Sequence, residues 1–582
     1  MNILGINTYH GDASAALLVD GEPVAAVEEE RFTRVKHDTS FPLRAIEYCL
    51  AAANLGLGDI DHIATSRNPR ARLGRRVAFA VGSPAGRRML PGRLANIGKL
   101  LQSRGTIASG LGGDGSKLRA KSHFVEHHRS HLASTFFVSP FERAAVMSID
   151  GFGDMVSGTW GVGEGNSVRI LGEVPFPHSL GVYYTAVTQY LGFPKYGDEY
   201  KVMGLASYGE PEYLSEMGRV VKQDGVGYRL QLEYFKHHRE GASMTWAGGS
   251  PELGPLWGPE MVATFGPARR GGSEPLEDRH RNIASSLQRH LEEVELGMLR
   301  ELSVRTGLTD LCLAGGVALN CVVNGKIFSE TPFRRLYVQP AANDAGTSLG
   351  AALYVHHQVL GNRRVFVMDN AYLGPEYEPT VIRRALEHAG VDHRQGSETE
   401  VIEKAADALA EGKIVGWFQG RMEFGPRALG NRSILADPRR AEMKDILNAR
   451  IKHREPFRPF APSILEEATG EYFDQSHPSP FMTLTYNVRP EKLDAIPAPT
   501  HVDGTGRLQT VRRDQNRRYY DLIKAFERRT GVPVLLNTSF NENEPICATP
   551  EEAVDTFRRS KMDLLVAGDF FAEKAGSDGD AH

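Results

Sequence analysis

The sequence predicts a multidomain α/β protein, and three observations lead to that fold class. The chain has 582 residues, more than one hydrophobic core usually supports, so we expect two or three domains. Apolar runs predict strand–turn–strand units, one over residues 2–20 and one that turns at Asp150. A further predicted strand, residues 311–314, leads through a glycine turn into a helix.

The turns between these elements are rich in small residues. They cover residues 8–14, 150–154 and 315–320. Where side chains are small, backbone N–H groups can approach a phosphate or a nucleotide closely. Each turn can also be a plain tight connection, so the turns alone leave a nucleotide site open.

The run from Glu126 to His131 carries the strongest signal for a metal site. His127 and His131 are four residues apart, which places both imidazoles on one face of a helix. Asp150 ends an apolar strand, and Asp344 lies in a turn of small residues. Two histidines and two aspartates suit Fe(II), Mn(II) or Zn(II). The spacing leaves one alternative open, a surface His127 beside a hydrogen-bonded His131 in the core.

Composition indicates which partners and which cellular location to expect. A formal net charge of −4 with 24% charged residues gives no reason to expect a nucleic-acid or membrane partner. The four cysteines are far apart, which argues against a disulfide framework or a zinc finger. The sequence has no signal-peptide pattern and no apolar run of about 20 residues. We therefore expect a cytoplasmic protein.

A basic segment interrupts the first half of the chain. Between Arg67 and Lys121 there are thirteen lysines or arginines and a single acid, Asp114. We interpret this segment as a solvated insertion. Contact with a phosphate-rich partner is the alternative.

The last third of the chain has a different chemistry. Residues 361–379 are polar and loop-like, and we place a domain boundary there. Arginines and a lysine then lie beside glycine and proline turns in residues 425–433 and 452–462, followed by a Ser/Asn run at 537–541. Guanidinium groups bind phosphate oxygens through paired hydrogen bonds and stay charged without water. The pattern predicts a cradle for two phosphate-bearing groups, with scattered surface arginines as the alternative.

Six ordered motifs carry a resemblance to a known family. They are His127-His128-x-x-His131, Ile149–Gly151, Lys201–Ala206, Ala314–Asn320, Gly425–Ser433 and Asn537–Asn541. Together they resemble the ATP-dependent O-carbamoyltransferases, which include nodulation-factor and antibiotic-tailoring enzymes. The resemblance covers nearly the whole chain except the basic insertion.

This resemblance implies the fold and the reaction. Residues 1–365 would form a duplicated domain of the actin, sugar-kinase and heat-shock-chaperone type, with the insertion at about 67–121. Residues 376–575 would form a YrdC-like α/β domain with a twisted sheet. The second domain would convert carbamoyl phosphate and ATP, with Mg²⁺, into carbamoyl-AMP and pyrophosphate. The first would transfer the carbamoyl group to a hydroxyl of a small natural-product or sugar acceptor.

The resemblance also implies site residues. It places Fe(II) or another divalent ion on His127, His131, Asp150 and Asp344. It makes His10 the general base for the acceptor hydroxyl, although Gly11 separates His10 from Asp12, a departure of one residue from the family pattern. In the first domain, contacts to phosphate or nucleotide are implied for Lys36, which is also a catalytic candidate, and for Gly181, Lys201, Gly316 and Asn320. In the second domain the implied residues are Arg427, Lys452 and Arg458 as catalytic groups, with Arg432, Arg507, Asn537 and Ser539 as further ligands of phosphate or nucleotide.

Two other functions stay open. A tRNA-threonylcarbamoylating factor would reuse both domain types, but the acidic charge balance argues against it. A non-catalytic ATP switch of the actin and chaperone fold would hydrolyse ATP independently of carbamoyl phosphate. We expect ATP, carbamoyl phosphate and a small alcohol as partners, expect neither membrane nor nucleic acid, and leave a homodimer open.

Overall fold

The computed structural model describes residues 1–82, 86–87, 96–112, 118–242, 244–245, 251–272 and 274–574. Parts of the predicted basic insertion, and residue 575 at the end of the predicted second domain, lie outside these residues. The chain divides into two compact units, Met1–Met368 and Asp369–His582. Both units combine sheets with helices, so the predicted α/β class is confirmed.

Unit 1 contains two five-stranded sheets with the same topology. The first has the strand order β3 (Glu22–Glu28), β2 (Ser14–Val19), β1 (Asn2–Asn7), β4 (His62–Thr65), β5 (Lys121–Phe124). The second has the order β14 (Arg335–Val338), β13 (Asp310–Ala314), β6 (Arg143–Gly153), β7 (Val156–Glu164), β8 (Ser167–Pro175). In each, three strands form an antiparallel meander, and two parallel strands extend the sheet from the first strand of that meander. This repeat is the duplicated arrangement predicted for an actin- and sugar-kinase-like domain.

The strands of unit 1 include two short hairpins besides the two large sheets. Their bounds are β1 Asn2–Asn7, β2 Ser14–Val19, β3 Glu22–Glu28, β4 His62–Thr65, β5 Lys121–Phe124, β6 Arg143–Gly153, β7 Val156–Glu164, β8 Ser167–Pro175, β9 Val221–Asp224, β10 Gly227–Leu230, β11 Met244–Thr245, β12 Glu252–Leu253, β13 Asp310–Ala314 and β14 Arg335–Val338. The α-helices are Glu30–Thr33, Leu43–Ala52, Leu73–Gly82, Ser103–Gly110, His127–Phe136, Leu180–Tyr190, Glu199–Ala206, Leu214–Val220, His237–Glu240, Pro259–Phe265, Asp278–Thr306, Cys321–Glu330 and Gly346–Tyr354. The described part of the basic insertion therefore contains helices at Leu73–Gly82 and Ser103–Gly110.

Two glycines let the elements that carry the predicted metal ligands approach closely. A Cβ on Gly5 in β1 would lie 2.0 Å from the carbonyl oxygen of Ser348, on the helix that follows Asp344. A Cβ on Gly350, in that same helix, would lie 1.8 Å from the carbonyl oxygen of Ser130 in the His127–Phe136 helix. Only glycine permits such backbone contact. The packing brings the turn of Asp344 beside the histidine helix.

Unit 2 is built on one mixed nine-stranded sheet with the order β15-β23-β22-β16-β17-β21-β18-β20-β19. Its strands are β15 Arg394–Gln395, β16 Val415–Phe418, β17 Arg432–Ala436, β18 Ala461–Leu465, β19 Leu484–Asn487, β20 Thr505–Val511, β21 Val534–Ser539, β22 Leu564–Ala567 and β23 Phe570–Glu573. Its α-helices are Pro379–His388, Glu398–Ala410, Met443–Leu447, Thr469–Tyr472, Arg517–Thr530 and Pro550–Arg559. Central strands such as β17 are buried throughout, as expected for a sheet covered on both faces.

Two further properties bear on the predictions from composition. The four cysteines are free and buried. Among the described helices, none combines the length and the apolar character needed to cross a bilayer.

Candidate functional site

The four predicted metal ligands converge on one small volume in unit 1. His127 and His131 lie on one face of their helix, with their Nε2 atoms 3.1 Å apart. Asp150 Oδ2 lies 3.1 Å from the first Nε2 and 3.2 Å from the second. Asp344 Oδ1 lies 3.4 Å and 3.5 Å from the same two atoms. One donor atom from each of the four residues falls within 4.8 Å of all the others.

The donor atoms fit a divalent cation. Asp344 Oδ1 is buried and has no hydrogen-bond partner among the described residues, which is costly for a carboxylate oxygen unless a ligand completes the site. Burial disfavours the charged form of both aspartates, but the facing histidines lower the pKa values of Asp150 and Asp344. Both carboxylates are therefore ionised and available to a cation.

A buried carboxylate fixes the start of the histidine helix. Asp154 Oδ2 accepts the main-chain N–H of His127 and that of Asn68, each at 3.0 Å. Its other oxygen pairs with Arg76 at 2.7 Å. Because the first N–H groups of a helix lack partners within the helix, this carboxylate stabilises the helix terminus that carries the first ligand. The start of the basic segment thus supports the helix that carries two of the predicted metal ligands.

His10 lies beside the cluster, with both ring nitrogens engaged. Nδ1 donates to Asp344 Oδ2, and Nε2 lies 3.1 Å from the carbonyl oxygen of Phe152. The Asp344 carboxylate therefore turns one oxygen to the predicted metal ligands and the other to His10. Such a histidine–carboxylate contact orients a metal ligand.

A second histidine–carboxylate pair flanks the cluster and was missed in the sequence. His37 Nδ1 lies 2.7 Å from Asp12 Oδ1. The other oxygen of Asp12 accepts from Asn343 Nδ2 at 2.8 Å, and Asn343 directly precedes the predicted ligand Asp344 in the sequence. His37 closes the charged run that follows β3, and only the fold of that run brings it to Asp12.

The predicted phosphate contacts of unit 1 occupy different surroundings. Gly181 and Gly316 both pack against Asp150: a Cβ on Gly181 would lie 2.9 Å from the Asp150 carbonyl, and the N–H of Gly316 donates to Asp150 Oδ1 at 3.1 Å. Lys36 precedes His37 and is partly buried. Lys201 is in a helix and pairs with Asp198 at 2.9 Å.

Asn320 has a structural role that departs from the predicted contact with nucleotide. Its Oδ1 accepts the N–H of Val323 at 3.2 Å and so caps the Cys321–Glu330 helix. Its Nδ2 donates to Gln288 Oε1 at 2.9 Å. Each end of the carboxamide thus has a partner within the fold, and the contact of Asn320 with nucleotide stays a prediction.

In unit 2, the side chain of Lys452 holds the Ser/Asn run, residues 537–541, through hydrogen bonds. Its Nζ donates to the carbonyl oxygens of Ser539 and Asn541 at 2.6 Å and 2.7 Å, and to Asn541 Oδ1 at 2.8 Å. Ser539 Oγ donates to the same Oδ1 at 2.7 Å. Asn537 is buried, and its Nδ2 donates to the carbonyl of Ala428 at 3.1 Å. These predicted residues therefore share one locality.

Arg432 requires a correction. Its side chain is fully buried, and its guanidinium donates to the carbonyl oxygens of Gln419, Gly420, Asn431 and Pro375 at 2.8–3.1 Å. The group also stacks over the Phe418 ring, 3.8 Å from its centroid. It holds the turn that precedes β17 and does not face solvent, so the structure gives it no access to a phosphate.

The other predicted arginines differ in burial. Arg427 and Arg458 are partly buried, and Arg458 pairs with Glu455 at 3.3 Å. Arg454 stacks on Phe460 and donates to Asn448 Oδ1 at 3.0 Å. Arg507 lies in β20 with a buried Nε.

A separate polar pocket of about 540 Å³ opens in unit 2. The predicted phosphate-binding residues are absent from its lining, which includes Gln419, Arg421, Asn431, Asn516, Arg517 and Arg518. Asn516 Nδ2 donates to Asn431 Oδ1 at 2.9 Å, so the amides at its floor satisfy one another.

Sequence comparison assigns both units. Residues 2–353 match the carbamoyltransferase N-terminus, and residues 406–574 match the carbamoyltransferase C-terminus. The chain belongs to the carbamoyltransferase family. This carbamoyltransferase is therefore an enzyme that transfers a carbamoyl group, and the predicted family resemblance is confirmed.

Its relatives support the same family over most of their length. It is 42% identical to the uncharacterized protein sll1178 of Synechocystis, with 98% of this chain and 97% of that protein covered. It is 41% identical to the nodulation protein NolNO of Sinorhizobium fredii, with 98% and 80% covered. It is also 42% identical to the nodulation protein NolO of Bradyrhizobium diazoefficiens, with 77% and 79% covered.

Proposed function

We propose that this carbamoyltransferase acts on a hydroxyl group in two steps, with carbamoyl phosphate and ATP as donor substrates. Unit 2 hydrolyses carbamoyl phosphate to carbamate and inorganic phosphate, and the carbamate then attacks the α-phosphorus of ATP to give carbamoyl-AMP and pyrophosphate. Unit 1 then transfers the carbamoyl group to a small natural-product or sugar alcohol. The observation that carries this proposal is the convergence of His127, His131, Asp150 and Asp344 in a chain whose two parts both match carbamoyltransferases.

The first step requires positive charge around phosphate groups. Formation of the adenylate builds negative charge at the α-phosphorus, and fixed cations stabilise such charge without proton transfer. Arg427, Lys452, Arg458 and Arg507 are the groups that we assign to this role. Lys452 already lies against the Ser539 and Asn541 carbonyls, so its ammonium keeps that loop in place while the substrate binds.

The second step is an acyl transfer in unit 1. A divalent ion held by the four ligands would act as a Lewis acid toward a carbonyl or phosphate oxygen. Fe(II) is our assignment for this ion because the family resemblance implies it, and two imidazoles with two carboxylates suit Fe(II) as they suit Mn(II) or Zn(II). Lys36 and the glycine turn at Gly316 would contact the adenylate, and His10, which contacts Asp344, would act as the general base toward the acceptor hydroxyl.

The proposal is tested by the substrate dependence of AMP formation. The full chain with Mg²⁺ should release AMP and pyrophosphate only when ATP and carbamoyl phosphate are both present. Incubation with a panel of sugars and natural-product alcohols should then give a product heavier by one carbamoyl group in mass spectrometry. ATP hydrolysis that proceeds equally without carbamoyl phosphate would contradict the proposal and favour an ATP switch.

A further inference from the structure

We propose that the Leu73–Gly82 helix docks unit 1 on an anionic membrane surface. This inference goes beyond the proposed reaction and does not depend on it. It concerns the basic insertion, for which the sequence left open a solvated segment or contact with a phosphate-rich partner. The helix has one face bound to the protein and one apolar face open to solvent.

Ion pairs and an aromatic contact fix the inner face of this helix to unit 1. Arg75 pairs with a carboxylate of β8 at 2.7 Å, and Arg76 pairs with Asp154 at 2.7 Å. The Phe79 ring packs edge-on against Phe176, with centroids 4.9 Å apart. Positions 75, 76 and 79 share one side of a helix, so the opposite side is held outward.

Three aliphatic side chains at four-residue intervals form the outward face. Leu73, Val77 and Val81 are 55%, 58% and 68% exposed, and Leu101 of the same insertion is 55% exposed. In the part of the chain that the structure describes, eleven large apolar side chains are exposed, and these four belong to one short segment. An exposed apolar stripe of this kind marks an interaction surface.

The charge of the insertion is opposite to that of the rest of the chain. Residues 67–121 hold thirteen lysines or arginines and one acid, a formal charge of +12, whereas the whole chain carries −4. The remaining residues therefore carry −16. Arg70 is exposed just before the helix, and Arg87 donates to the Val81 carbonyl at 2.7 Å beyond its end. Cations thus flank the aliphatic stripe on both sides.

An anionic bilayer matches both properties of this surface. Aliphatic side chains of such a helix enter the boundary between headgroups and acyl chains, while lysines and arginines bind anionic headgroups. A nucleic acid would pair with the cations but would leave Leu73, Val77 and Val81 in water. A second copy of the chain would cover these side chains but would bring two basic insertions together around a twofold axis, where like charges repel.

Flotation with lipid vesicles tests the proposal on the full chain. Vesicles of phosphatidylglycerol and phosphatidylcholine in equal amounts supply anionic headgroups, and vesicles of phosphatidylcholine alone are the comparison. The chain should bind the mixed vesicles at least about tenfold more tightly, because each lysine or arginine near an anionic surface adds to the affinity. Added salt should release the chain, because the exposed charges are screened.

A double variant measures the apolar contribution. Val77→Ser with Val81→Ser should weaken binding to the mixed vesicles by about tenfold, because it removes most of the aliphatic contact. Val262→Ser with Val304→Ser is the matched control, since these valines are 38% and 77% exposed on other helices of unit 1. The control should bind as the wild type does. All four positions are exposed, so unchanged unfolding temperatures should show that both double variants are folded.

A charge reversal measures the electrostatic contribution. Arg70→Glu should weaken binding to the mixed vesicles by about tenfold. Lys561→Glu changes the net charge by the same amount at an exposed position of unit 2 and should have little effect.

Three results would overturn the proposal. Equal affinity for the two kinds of vesicle would show that anionic headgroups are not recognised. Binding that Arg70→Glu weakens but that the Val77 and Val81 substitutions leave unchanged would indicate a polyanion such as nucleic acid. A chain that stays off both vesicles but forms a dimer through the valines would indicate a second copy. The release of pyrophosphate is measured separately, so failure of this proposal is distinguishable from failure of the proposed function.

Discussion

The ammonium of Lys452 lies 2.8 Å from Asn541 Oδ1 and 2.7 Å from the Asn541 carbonyl oxygen. Lys452 follows the Met443–Leu447 helix, whereas Asn541 follows β21, and the lysine side chain is almost completely buried. One buried cation therefore fixes a loop that begins at a central strand. The same ammonium is our candidate for stabilising phosphate charge, so we assign Lys452 a role both in the stability of unit 2 and in its reaction.

Lys452→Met should destabilise unit 2 as well as abolish AMP formation. Methionine retains the length of the side chain but leaves the Ser539 and Asn541 carbonyl oxygens without their donor, at a cost of about 1–3 kcal/mol. Thermal unfolding measures the loss. Lys561→Met, at an exposed position, should leave the unfolding temperature nearly unchanged. Equal unfolding temperatures for the two variants would contradict the structural role of Lys452.

Arg432→Lys should be destabilising although it conserves charge. An ammonium cannot reproduce the planar set of donors that reaches the four carbonyl oxygens, nor the stacking on Phe418, so we expect a loss of about 1–3 kcal/mol. Denaturant unfolding provides the measurement. Arg517→Ala, which removes an exposed ion pair with Glu398, should change the stability far less than Arg432→Lys. The reverse order of the two effects would show that Arg432 is not a structural residue.

Glu295 predicts a specific dependence of stability on pH. The side chain is 1% exposed, and burial, with a contribution from Glu292, raises the pKa of Glu295 to about 8. The folded state keeps the proton between about pH 4.3, where the unfolded chain loses it, and pH 8, so stability contributed by the neutral form falls across that window. Glu295→Gln should therefore unfold at the same temperature as the wild type near pH 4 and several degrees higher at pH 8.5. Glu293→Gln, exposed on the same helix, should show no such pH-dependent difference.

The divalent ion should depend on His131 and not on its neighbour His128. His131→Gln removes a converging nitrogen and should lower metal affinity by about tenfold or more, measured as bound metal per chain after dialysis. His128 instead hydrogen-bonds Ser148 at 2.9 Å and the Val156 carbonyl at 3.1 Å. His128→Gln should therefore retain the ion in the folded protein. Loss of the ion from both variants with unchanged unfolding temperatures would contradict the ligand set.

Single substitutions should affect one half-reaction without the other. Arg458→Ala should abolish the release of AMP and pyrophosphate because it removes charge next to the phosphates. Asp344→Ala should spare the release of pyrophosphate but block carbamoyl transfer, and with it the release of AMP, because it removes a predicted metal ligand in unit 1. Hydroxylamine converts carbamoyl-AMP into hydroxyurea without a protein base, so the formation of hydroxyurea from ATP and carbamoyl phosphate distinguishes the two variants directly. If both lose hydroxyurea formation equally while folded, the division of labour between the units is wrong.

Local patterns predicted the parts of the site that depend on one element. The four-residue spacing of His127 and His131 predicts their shared helix face because helical geometry alone brings such side chains together. Their meeting with Asp150 and Asp344 came from family resemblance, since it depends on how two sheets and a helix pack. The strand-and-turn pattern likewise predicted the first hairpins, whereas the repeat of sheet order became visible only in the fold.

Sequence patterns did not predict which polar side chains are buried or which residues they contact. The sequence pattern of an arginine beside glycine turns is the same whether its guanidinium binds phosphate or donates to main-chain carbonyl oxygens, as that of Arg432 does. Asn320 falls in a glycine-rich turn but serves as a helix cap. His37 lies in a run of charges, and only the tertiary contact with Asp12 distinguishes it from a solvated residue. In each case the role of the residue depends on the neighbours that the fold places beside it.

A transplant of the predicted metal site would have to include Asp154 as well as the four predicted ligands. Because its carboxylate serves the first turn of the histidine helix together with Asn68 and Arg76, a protein engineer who grafts that helix onto another scaffold must bring the opening residues of the basic segment along. A deletion designed to trim that segment should stop short of Asn68–Arg76. Homologues that lack the segment would need a different group to satisfy the same exposed amides.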